Sequence, residues 1–598
     1  MISFSKPTVE QFFRTYVITN FTVSDQEEKL LFSTNLNGKM NVWAIDLHGS
    51  GFPYLYAHTE QSCNFLKVDP HKRYVLGGFD EDGNENYHIY ALPFEGGMRQ
   101  KLIEAEPDDK DFFCSLSEDG NRLYYVTSKG NPQFLKGYVY DLESKEHQEL
   151  YEGENAPTFI NTVSPNEEYI VLTKTFANTY QVGYLKNIQT GEETFLSENP
   201  DDVHEFSKAI FISNEHILYI TNAGEEYSYV IKYHIPTGKR EKYVKFEGES
   251  VEEIEWHKNS ETLFIITEKG VQDHLYRFSR EDSSPVKIPC PLESLHQMKV
   301  SKKGNVYLLG RSATEPFNIY LLNVEDKWEK LTDNRVLGLN QEHLVDPAVV
   351  SYSSFDGKKI EALWFESNQE QDNGHVIFWP HGGPQAAERK EFRAMFQCFL
   401  NRGYSIFAPN FRGSTGYGAS FKKLVEQDWG EGPRLDCVYG IEWLFETGKC
   451  DRDKLFVVGG SYGGYMSLLL AGRHSEYFRA VVDIFGVSNL FTFINSVPEH
   501  WKPIMERWLG NPERDKDRLE KDSPITYLQS MTKPMLVIQG ANDPRVVKEE
   551  SDQIVEALKN QGTEVEYFVL DDEGHGFSKK ENEIKVYERM LSFLEKHQ

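Results

Sequence analysis

A serine set among glycines is the feature of this 598-residue chain that most directly indicates chemistry. Residues 456–472 read FVVGGSYGGYMSLLLAG, so an apolar, strand-like run leads into Ser461 and then into a helix-like segment. Gly459, Ser461 and Gly463 match the pattern G-x-S-x-G. Small neighbours allow a sharp strand-to-helix turn that lifts the serine hydroxyl above the edge of a sheet. In this context the pattern predicts a nucleophilic serine rather than a structural one.

The predicted nucleophile needs a base to remove its proton and an acid to orient that base. In chains with this turn the acid and then the histidine follow the serine, each on a loop after a later strand. The segment PMLVIQGANDPRV places Asp543 just after a strand-like run, and VEYFVLDDEGHGF places His575 between two glycines after the next one. We therefore predict that Ser461, Asp543 and His575 form a catalytic triad.

Three other aspartates compete with Asp543 for the role of the acid. Asp571 and Asp572 share the loop of the histidine, where the short chain makes it awkward for them to face the ring. Asp483 lies at or just within the end of a strand. Asp543 is therefore the favoured acid.

Acyl transfer also requires N–H donors directed at the developing oxyanion. The segment FWPHGGPQ follows the strand that should precede the first helix, and its Gly383 lets the backbone approach a substrate closely. We predict that Gly383 provides one donor and Tyr462, which follows the nucleophile, the other. His381 is expected to brace this loop rather than to react.

The elements that must position these residues change character near residue 340. Between about residues 30 and 330, a β-rich strand, a polar turn and an aromatic-bearing strand recur seven times. The starts of the aromatic-bearing strands, such as NVWAIDL, NYHIYAL and GYVYDL, lie 43 to 51 residues apart. This period predicts a seven-bladed β-propeller over residues 10–335, with blades of about four strands. A β-sandwich array is the alternative, but the steady period fits it less well.

The second half alternates strands with helices. A hairpin-like segment, VVSYSSFDGKKIEALWFES, is followed by short apolar strands separated by amphipathic helical segments. Such alternation predicts a doubly wound, mostly parallel sheet over residues 336–598, covered by helices on both faces. Functional loops are then expected at the carboxyl ends of the strands, where the serine, aspartate and histidine lie. Residues 1–9 are expected to pack on this domain.

Composition excludes several classes of function. The formal charge of -29 argues against nucleic acid and anionic membranes as partners. No run of 18 apolar residues and no export signal is found, so the sequence predicts a cytoplasmic protein without a membrane contact. The six cysteines form no CxxC, and HExxH and GxxxxGK are absent, so neither a metal nor another cofactor is predicted.

Five motifs occur in a fixed order after the repeats: HGGP, NFRGSTGYG, GGSYGGY, GANDPRV and EGHGF. With them the chain resembles, over essentially its whole length, the prolyl oligopeptidase family of serine peptidases. HGGPQ and GGSYGGYM resemble especially its acylaminoacyl-peptidase branch. The resemblance implies a β-propeller followed by an α/β-hydrolase domain, and the triad and oxyanion donors named above.

The resemblance also implies residues that bind the substrate. Arg545 matches the arginine that in acylaminoacyl peptidases holds a backbone carbonyl of the substrate, although a surface ion pair is the alternative. Val546 matches a wall of the pocket for the residue before the scissile bond. Phe485 and Phe491 could line that pocket or belong to the core.

Departures from the family bear on specificity. Glu225 and Glu226 could grip a peptide amino terminus, as a glutamate pair does in dipeptidyl peptidases, but the aromatic-rich insertion that carries that pair is not found. A solvated turn is the favoured interpretation. Prolyl oligopeptidases proper have a tyrosine-bearing loop in place of HGGP.

The sequence therefore predicts a serine peptidase that cleaves short peptides through an acyl-enzyme. Its expected action is acylaminoacyl-peptidase-like, releasing N-acylated or N-terminal amino acids from oligopeptides, with the propeller restricting substrate size. A dipeptidyl or post-proline peptidase or an esterase could be built on the same triad. A propeller binding protein with an inert hydrolase domain is the alternative from another class. Short peptides are the expected partners, and a homo-oligomer is left open.

Overall fold

The computed structural model describes residues 6–49, 51–199, 201–368 and 371–598. It begins with a short helix, α1 (Val9–Phe13), and continues with seven four-stranded antiparallel sheets and one eight-stranded sheet. The seven small sheets are the blades of a β-propeller, and the large sheet belongs to an α/β-hydrolase domain, so the predicted fold class is confirmed.

Each blade consists of four consecutive strands. Blades 1 to 3 comprise β1 (Ile18–Val23), β2 (Lys29–Thr34), β3 (Asn41–Asp46), β4 (Tyr54–Ala57), β5 (Cys63–Val68), β6 (Tyr74–Phe79), β7 (His88–Pro93), β8 (Gln100–Lys101), β9 (Asp111–Leu116), β10 (Arg122–Thr127), β11 (Lys136–Asp141) and β12 (His147–Glu152). Blades 4 to 7 comprise β13 (Thr158–Val163), β14 (Tyr169–Ala177), β15 (Tyr180–Asn187), β16 (Glu193–Phe195), β17 (Phe206–Phe211), β18 (His216–Thr221), β19 (Tyr229–His234), β20 (Lys239–Val244), β21 (Ser250–His257), β22 (Thr262–Lys269), β23 (Gln272–Ser279), β24 (Val286–Ile288), β25 (Ser294–Val300), β26 (Val306–Ser312), β27 (Glu315–Leu322) and β28 (Trp328–Lys330).

The first strand of each blade lies innermost, next to the first strand of the neighbouring blade. Between blade 7 and blade 1 a side-chain amide joins the two innermost strands, β25 and β1. The amide of Gln297 accepts a hydrogen bond from the N–H of Phe21 at 2.9 Å and donates one to its carbonyl at 3.0 Å.

The second half contains one sheet in the order β29-β30-β32-β31-β33-β34-β35-β36. Its strands are β29 (Ala348–Ser353), β30 (Lys359–Phe365), β31 (Val376–Phe378), β32 (Ser405–Asn410), β33 (Leu455–Gly460), β34 (Val481–Ile484), β35 (Met535–Gly540) and β36 (Val565–Leu570). The pairs β29-β30 and β30-β32 are antiparallel and the remaining pairs are parallel. The helices are α2 (Ala394–Asn401), α3 (Ala419–Lys423), α4 (Gly432–Glu446), α5 (Tyr462–Arg473), α6 (Leu490–Ser496), α7 (Lys502–Trp508), α8 (Lys516–Asp522), α9 (Lys548–Gln561) and α10 (Lys580–Lys596).

Both faces of this sheet are buried, as the continuous apolar strands predict. In β33, Val457 packs into one hydrophobic cluster and Val458 into the cluster on the other face. The N-terminal helix α1 joins the second cluster, where the ring of Phe13 stacks on Tyr587 with centroids 4.3 Å apart. Of the segment 1–9 that is expected to pack on this domain, residues 1–5 lie outside the described residues. None of the helices within the described ranges has both the length and the apolar character required to cross a bilayer.

Candidate active site

Ser461 lies in the turn between β33 and α5, with φ 59° and ψ -122°. Positive φ is costly for a residue with a side chain, and here the turn is held by the N–H of Ser461, which donates to Ile484 O at 2.9 Å. A Cβ on Gly459 would overlap the carbonyl of Gly463, and one on Gly463 would overlap the carbonyl of Pro380. The two glycines of the motif are therefore required by close backbone crossings.

The structure brings the three predicted triad residues together. Nε2 of His575 lies 2.9 Å from Oγ of Ser461, and Nδ1 of His575 lies 2.6 Å from Oδ2 of Asp543. Since a carboxylate only accepts hydrogen bonds, Nδ1 carries the proton and Nε2 can accept the serine hydroxyl. The arrangement can activate Ser461 as a nucleophile.

The loop around Asp543 fixes its carboxylate. The side chain is fully buried, and Oδ1 accepts the N–H groups of Arg545 at 2.9 Å and Val546 at 3.0 Å. This leaves Oδ2 for the ring of His575. The loop therefore presents one oxygen of the carboxylate to the base.

Two of the three competing aspartates, Asp572 and Asp483, are occupied elsewhere. Asp572 bonds Lys579, and this hydrogen bond lowers the pKa of its carboxyl. Asp483 is buried beneath the serine turn, where it accepts the N–H of Gly486 at 2.9 Å. Burial raises the pKa of Asp483 to about 7.

The predicted oxyanion donors lie on two segments that meet at Ser461. An added Cβ on Gly382 would lie 3.5 Å from Cβ of Ser461, so the HGGP loop runs beside the nucleophile, and Gly383 follows directly. Tyr462 is the first residue of α5, where a helix leaves its N–H groups free. Within the described chain, the N–H groups of Gly383 and Tyr462 have no intramolecular acceptor. Both groups are therefore available to a substrate.

His381 supports this loop, as the sequence predicts. Its Nε2 lies 2.8 Å from Oγ of Ser414, its Nδ1 lies 2.7 Å from the carbonyl of Gly382, and its ring stacks on Phe411 with centroids 4.1 Å apart. Burial lowers the pKa of His381 to about 4, so the ring is neutral near pH 7. A neutral, fully engaged ring braces the loop.

Arg545 faces the propeller. Its Nε lies 2.9 Å from the carboxylate of Glu85 in blade 2, and its guanidinium carbon lies 6.0 Å from the ring centroid of Trp501. The side chain of Arg545 is 45% exposed, so a substrate can still reach it. Both interpretations of Arg545 are compatible with this position, because the ion pair lies next to the loop of Asp543.

The three apolar residues of the predicted pocket differ in position. Phe485 lies against the base, with its ring centroid 4.5 Å from that of His575. Val546 is buried in the core cluster on the α5 face of the sheet, and Phe491 is partly buried against that same cluster. Of the three side chains, Phe485 is the one whose ring lies against the base, and the pocket role of Val546 and Phe491 stays a prediction.

The two adjacent glutamates of blade 5 do not face the triad as a pair. Glu225 bonds Lys242 at 2.6 Å and Lys245 at 2.7 Å, and these hydrogen bonds lower its pKa to about 2. Glu226 accepts the N–H of Ser420 at 2.8 Å, at the start of α3. Glu226 thus joins blade 5 to the hydrolase domain, which the sequence does not indicate.

Sequence reasoning missed several residues that hold the triad loops. The buried carboxylate of Glu573 accepts the N–H groups of Ser578 at 2.9 Å and Lys579 at 3.0 Å, which folds the histidine loop on itself. Asn542 bonds a propeller carbonyl 460 residues away, that of Asp82. A polar residue next to a predicted catalytic residue is the only signal the sequence offers for either.

Comparison with known proteins agrees with this geometry. Residues 390–598 match the sequence profile described as Prolyl oligopeptidase family. A solved structure of a Mycobacterium tuberculosis puromycin-hydrolyzing peptidase is similar in fold, with a TM-score of 0.86 and 17% identity over 100% of this chain and 97% of that one.

Three curated relatives are similar in sequence. Dipeptidyl peptidase family member 6 of Caenorhabditis elegans is 29% identical over 374 residues, 57% of this chain and 50% of that protein. Dipeptidyl-peptidase 5 of Schizosaccharomyces pombe is 27% identical over 591 residues, 93% of this chain and 82% of that protein. The Acylamino-acid-releasing enzyme of Arabidopsis thaliana is 26% identical over 260 residues, 42% of this chain and 34% of that protein. The chain thus spans half or less of two of these relatives.

Proposed function

We propose that this chain is a serine peptidase that releases N-acylated or N-terminal amino acids from short peptides, and the match of residues 390–598 to the prolyl oligopeptidase family supports the proposal. The observation that carries the proposal is the continuous relay from Ser461 through His575 to Asp543, with distances of 2.9 and 2.6 Å. No other residue needs to move for the hydroxyl to lose its proton to Nε2.

In the proposed mechanism, Oγ of Ser461 attacks the carbonyl carbon of the scissile bond while its proton passes to His575. The N–H groups of Gly383 and Tyr462 stabilise the negative charge that forms on the carbonyl oxygen. His575 then gives the proton to the leaving amine, and an ester links Ser461 to the acyl part of the substrate. A water molecule, deprotonated by His575, hydrolyses this ester and restores the enzyme.

The propeller supports selection of short substrates. Blades 2, 5 and 6 contact the loops at the carboxyl ends of the hydrolase strands, through Glu85, Glu226 and Glu268. The triad therefore lies between the two domains. We infer that this position favours a flexible short peptide over a folded protein.

The positions of Glu225 and Glu226 favour an acylated amino terminus. The two carboxylates do not form a pair that could bind a free ammonium group. Glu225 is bonded to two lysines, whereas Glu226 keeps its charge and accepts hydrogen bonds from Ser420 at the start of α3. The relative named Acylamino-acid-releasing enzyme agrees with this choice.

A dipeptidyl peptidase is the second candidate, and one carboxylate favours it. Glu85 reaches the edge of the site beside Arg545 and could exchange that guanidinium for the ammonium group of a substrate. Two relatives carry the name dipeptidyl peptidase. This second candidate function predicts that Glu85→Gln lowers kcat/KM for an unblocked dipeptidyl amide more than for an acetylated amino-acid amide.

The nucleophile is tested by labelling with a fluorophosphonate. We expect the wild-type protein to be labelled and Ser461→Ala to remain unlabelled, as read by fluorescence of the denatured protein on a gel. Ser467→Ala, on the same helix and buried, is the matched control and should label normally. Undiminished labelling of Ser461→Ala would exclude Ser461 as the nucleophile.

Specificity is tested with four chromogenic amides: an acetylated alanyl or leucyl amide, its unblocked form, a dipeptidyl amide, and a blocked Gly-Pro amide. The proposal expects the highest kcat/KM on the acetylated substrate. A preference for the dipeptidyl amide would support the second candidate, and a preference for the blocked Gly-Pro amide would indicate a post-proline peptidase.

A further inference from the structure

We propose that the blade 2 loop (residues 80–87, between β6 and β7) is a positioning element of the triad, so that the propeller aligns the catalytic acid and base. The inference rests on the proposed function, because it assigns a role toward His575 and Asp543. Three contacts of this loop carry it.

The first contact joins two backbones. Gly83 has φ +78°, and a Cβ placed on it would lie 2.6 Å from the nitrogen and 3.0 Å from Cα of Gly574. A Cβ on Gly574 would in turn overlap the carbonyl of Gly83. Gly574 directly precedes His575, so the blade 2 loop is seated against the backbone that carries the base.

The second contact reaches the acid. The side-chain amide of Asn542 donates to the carbonyl of Asp82 at 3.2 Å and to the carbonyl of Asp571 at 3.4 Å. Its backbone N–H donates to the carbonyl of Glu573 at 2.9 Å. Asn542 directly precedes Asp543. A single residue therefore ties the acid loop to the histidine loop and to the propeller.

The third contact closes the far end of the histidine loop. Nζ of Lys579 lies 2.9 Å from Oδ1 of Asp82 and 2.7 Å from Oδ2 of Asp572. The carbonyl of Asp82 thus accepts a hydrogen bond from Asn542 on the acid loop, and its carboxylate pairs with Lys579 at the end of the histidine loop. The loops that hold Asp543 and His575 are anchored to one blade at both points.

The histidine loop depends on these contacts because glycines flank its base. Gly574 and Gly576 have no side chains with which to hold the ring, and Gly576 has open space around it and φ +145°. The carboxylate of Glu573 folds the end of the loop onto Ser578 and Lys579. The backbone of Gly574 lies between Gly540 of the hydrolase sheet and Gly83 of the propeller, so the position of His575 depends on both surfaces.

Small displacements at such a site have large kinetic effects. A shift of about 1 Å in a reacting group can lower the rate by about 100-fold. Loss of the Gly83 or Asp82 contacts should therefore lower kcat and the reactivity of Ser461 while the binding of a substrate changes little. A residue that only stabilises the fold would not produce this separation.

The test compares Gly83→Ala with Gly191→Ala. Both glycines have left-handed backbones, with φ +78° and +75°, but no atom lies within 4 Å of a Cβ on Gly191. The two variants therefore share the backbone strain, and only Gly83→Ala presses on Gly574. The full-length proteins are compared by the rate of labelling with a small fluorophosphonate, by kcat and KM on a chromogenic amide, and by thermal unfolding.

We expect Gly83→Ala to lose at least about tenfold in labelling rate and in kcat, with KM within about twofold of wild type, as displacement of a catalytic group predicts. Gly191→Ala should label and turn over within about twofold of wild type. Equal labelling rates for Gly83→Ala and Gly191→Ala would overturn the proposal.

A second series keeps the test decisive if Gly83→Ala does not fold. Asp82 has φ +46°, a conformation that asparagine tolerates better than alanine. Asp82→Asn keeps an oxygen for Lys579, whereas Asp82→Ala removes it. We expect the labelling rate to fall from wild type to Asp82→Asn to Asp82→Ala, and wild-type rates in Asp82→Ala would contradict the proposal. Labelling that persists in Ser461→Ala is a different result, which refutes the proposed function itself.

Discussion

The propeller holds the hydrolase domain differently on two sides of the site. On one side is the blade 2 contact, in which Glu85 bonds Arg545 and the arginine side chain is 45% exposed. On the other side is the blade 6 contact, in which Arg389 bonds both Glu268 and Asp273, and the side chain of Asp273 is 2% exposed. The loops of the acid and the base meet the exposed contact, whereas the loop that follows HGGP meets the buried one.

The two contacts therefore differ in what they contribute to the stability of the protein and to the geometry of the triad. An exposed pair contributes about 0 to 1 kcal/mol because water and salt screen it. A buried pair carries a large desolvation cost, so removing one partner leaves an uncompensated charge and costs about 3 to 5 kcal/mol. We infer that the blade 6 contact governs whether the domains stay together. The blade 2 contact governs the geometry of the triad, where backbone contacts matter more than charge.

The largest effect should follow Arg389→Met. The variant leaves the buried carboxylates of Glu268 and Asp273 without their cation, so we expect the free energy of unfolding to fall by about 3 kcal/mol or more. Urea unfolding followed by tryptophan fluorescence measures this loss.

The control replaces the carboxylates as well. The triple variant Arg389→Met, Glu268→Gln, Asp273→Asn contains no unpaired charge at this contact and should recover most of the lost free energy. A loss below about 1 kcal/mol in Arg389→Met would show that the two contacts do not differ as their burial indicates.

The second largest effect should be a pH dependence of the unfolding free energy, caused by His381 on the side of the blade 6 contact. His381 begins the loop that leads into the blade 6 contact, and burial lowers its pKa from 6.5 to about 4. A histidine whose pKa is lowered by folding contributes stability that is fully present above pH 6.5 and is lost as the pH falls toward 4. We expect this residue to cost about 2 kcal/mol of unfolding free energy at pH 5 relative to pH 7.

The measurement is the difference in unfolding free energy between pH 7 and pH 5, in wild type and in His381→Gln. Because the variant cannot titrate at this position, the difference should shrink by about 2 kcal/mol. The subtraction removes other buried histidines, such as His474 and His500, whose pKa values burial also lowers. An unchanged pH dependence would mean that His381 is not the acid-sensitive element of this side.

Within each blade, the sequence predicts some strands better than others. The predicted pairs of strands correspond to the second and third strands of every blade, such as β2 and β3, because these are apolar and buried between neighbours. The innermost strands mix buried and exposed residues without a regular pattern, as in β5, and the outermost can be as short as the two exposed residues of β8. Their hydrophobic pattern is too weak to stand out from the turns.

The same limit applies to the site. Ser461 and Asp543 each follow a buried apolar strand and His575 follows the half-buried edge strand β36, so their order and spacing place them at one edge of the sheet. The contacts that align them join residues far apart in sequence: Asn542 and Asp82 are separated by 460 residues, and Lys579 and Asp82 by 497. No local pattern records such pairs. The sequence also does not show that Gly83 contacts Gly574, since a glycine in a turn gives the same local sequence pattern whatever residue it contacts.

The smallest effect on stability should follow Arg545→Met, the counterpart of Arg389→Met on the exposed side. The pair with Glu85 is half in water, and the methionine can keep the apolar contact with Trp501, so we expect a loss of less than about 1 kcal/mol. The predicted role of Arg545 in holding a substrate carbonyl implies that activity responds more than stability, with a rise in KM. Urea unfolding and steady-state kinetics on the same preparation separate the two. A loss of about 3 kcal/mol in unfolding free energy, comparable with that of Arg389→Met, would mean that the blade 2 contact also holds the domains together. The proposed difference between the blade 2 and blade 6 contacts would then be wrong.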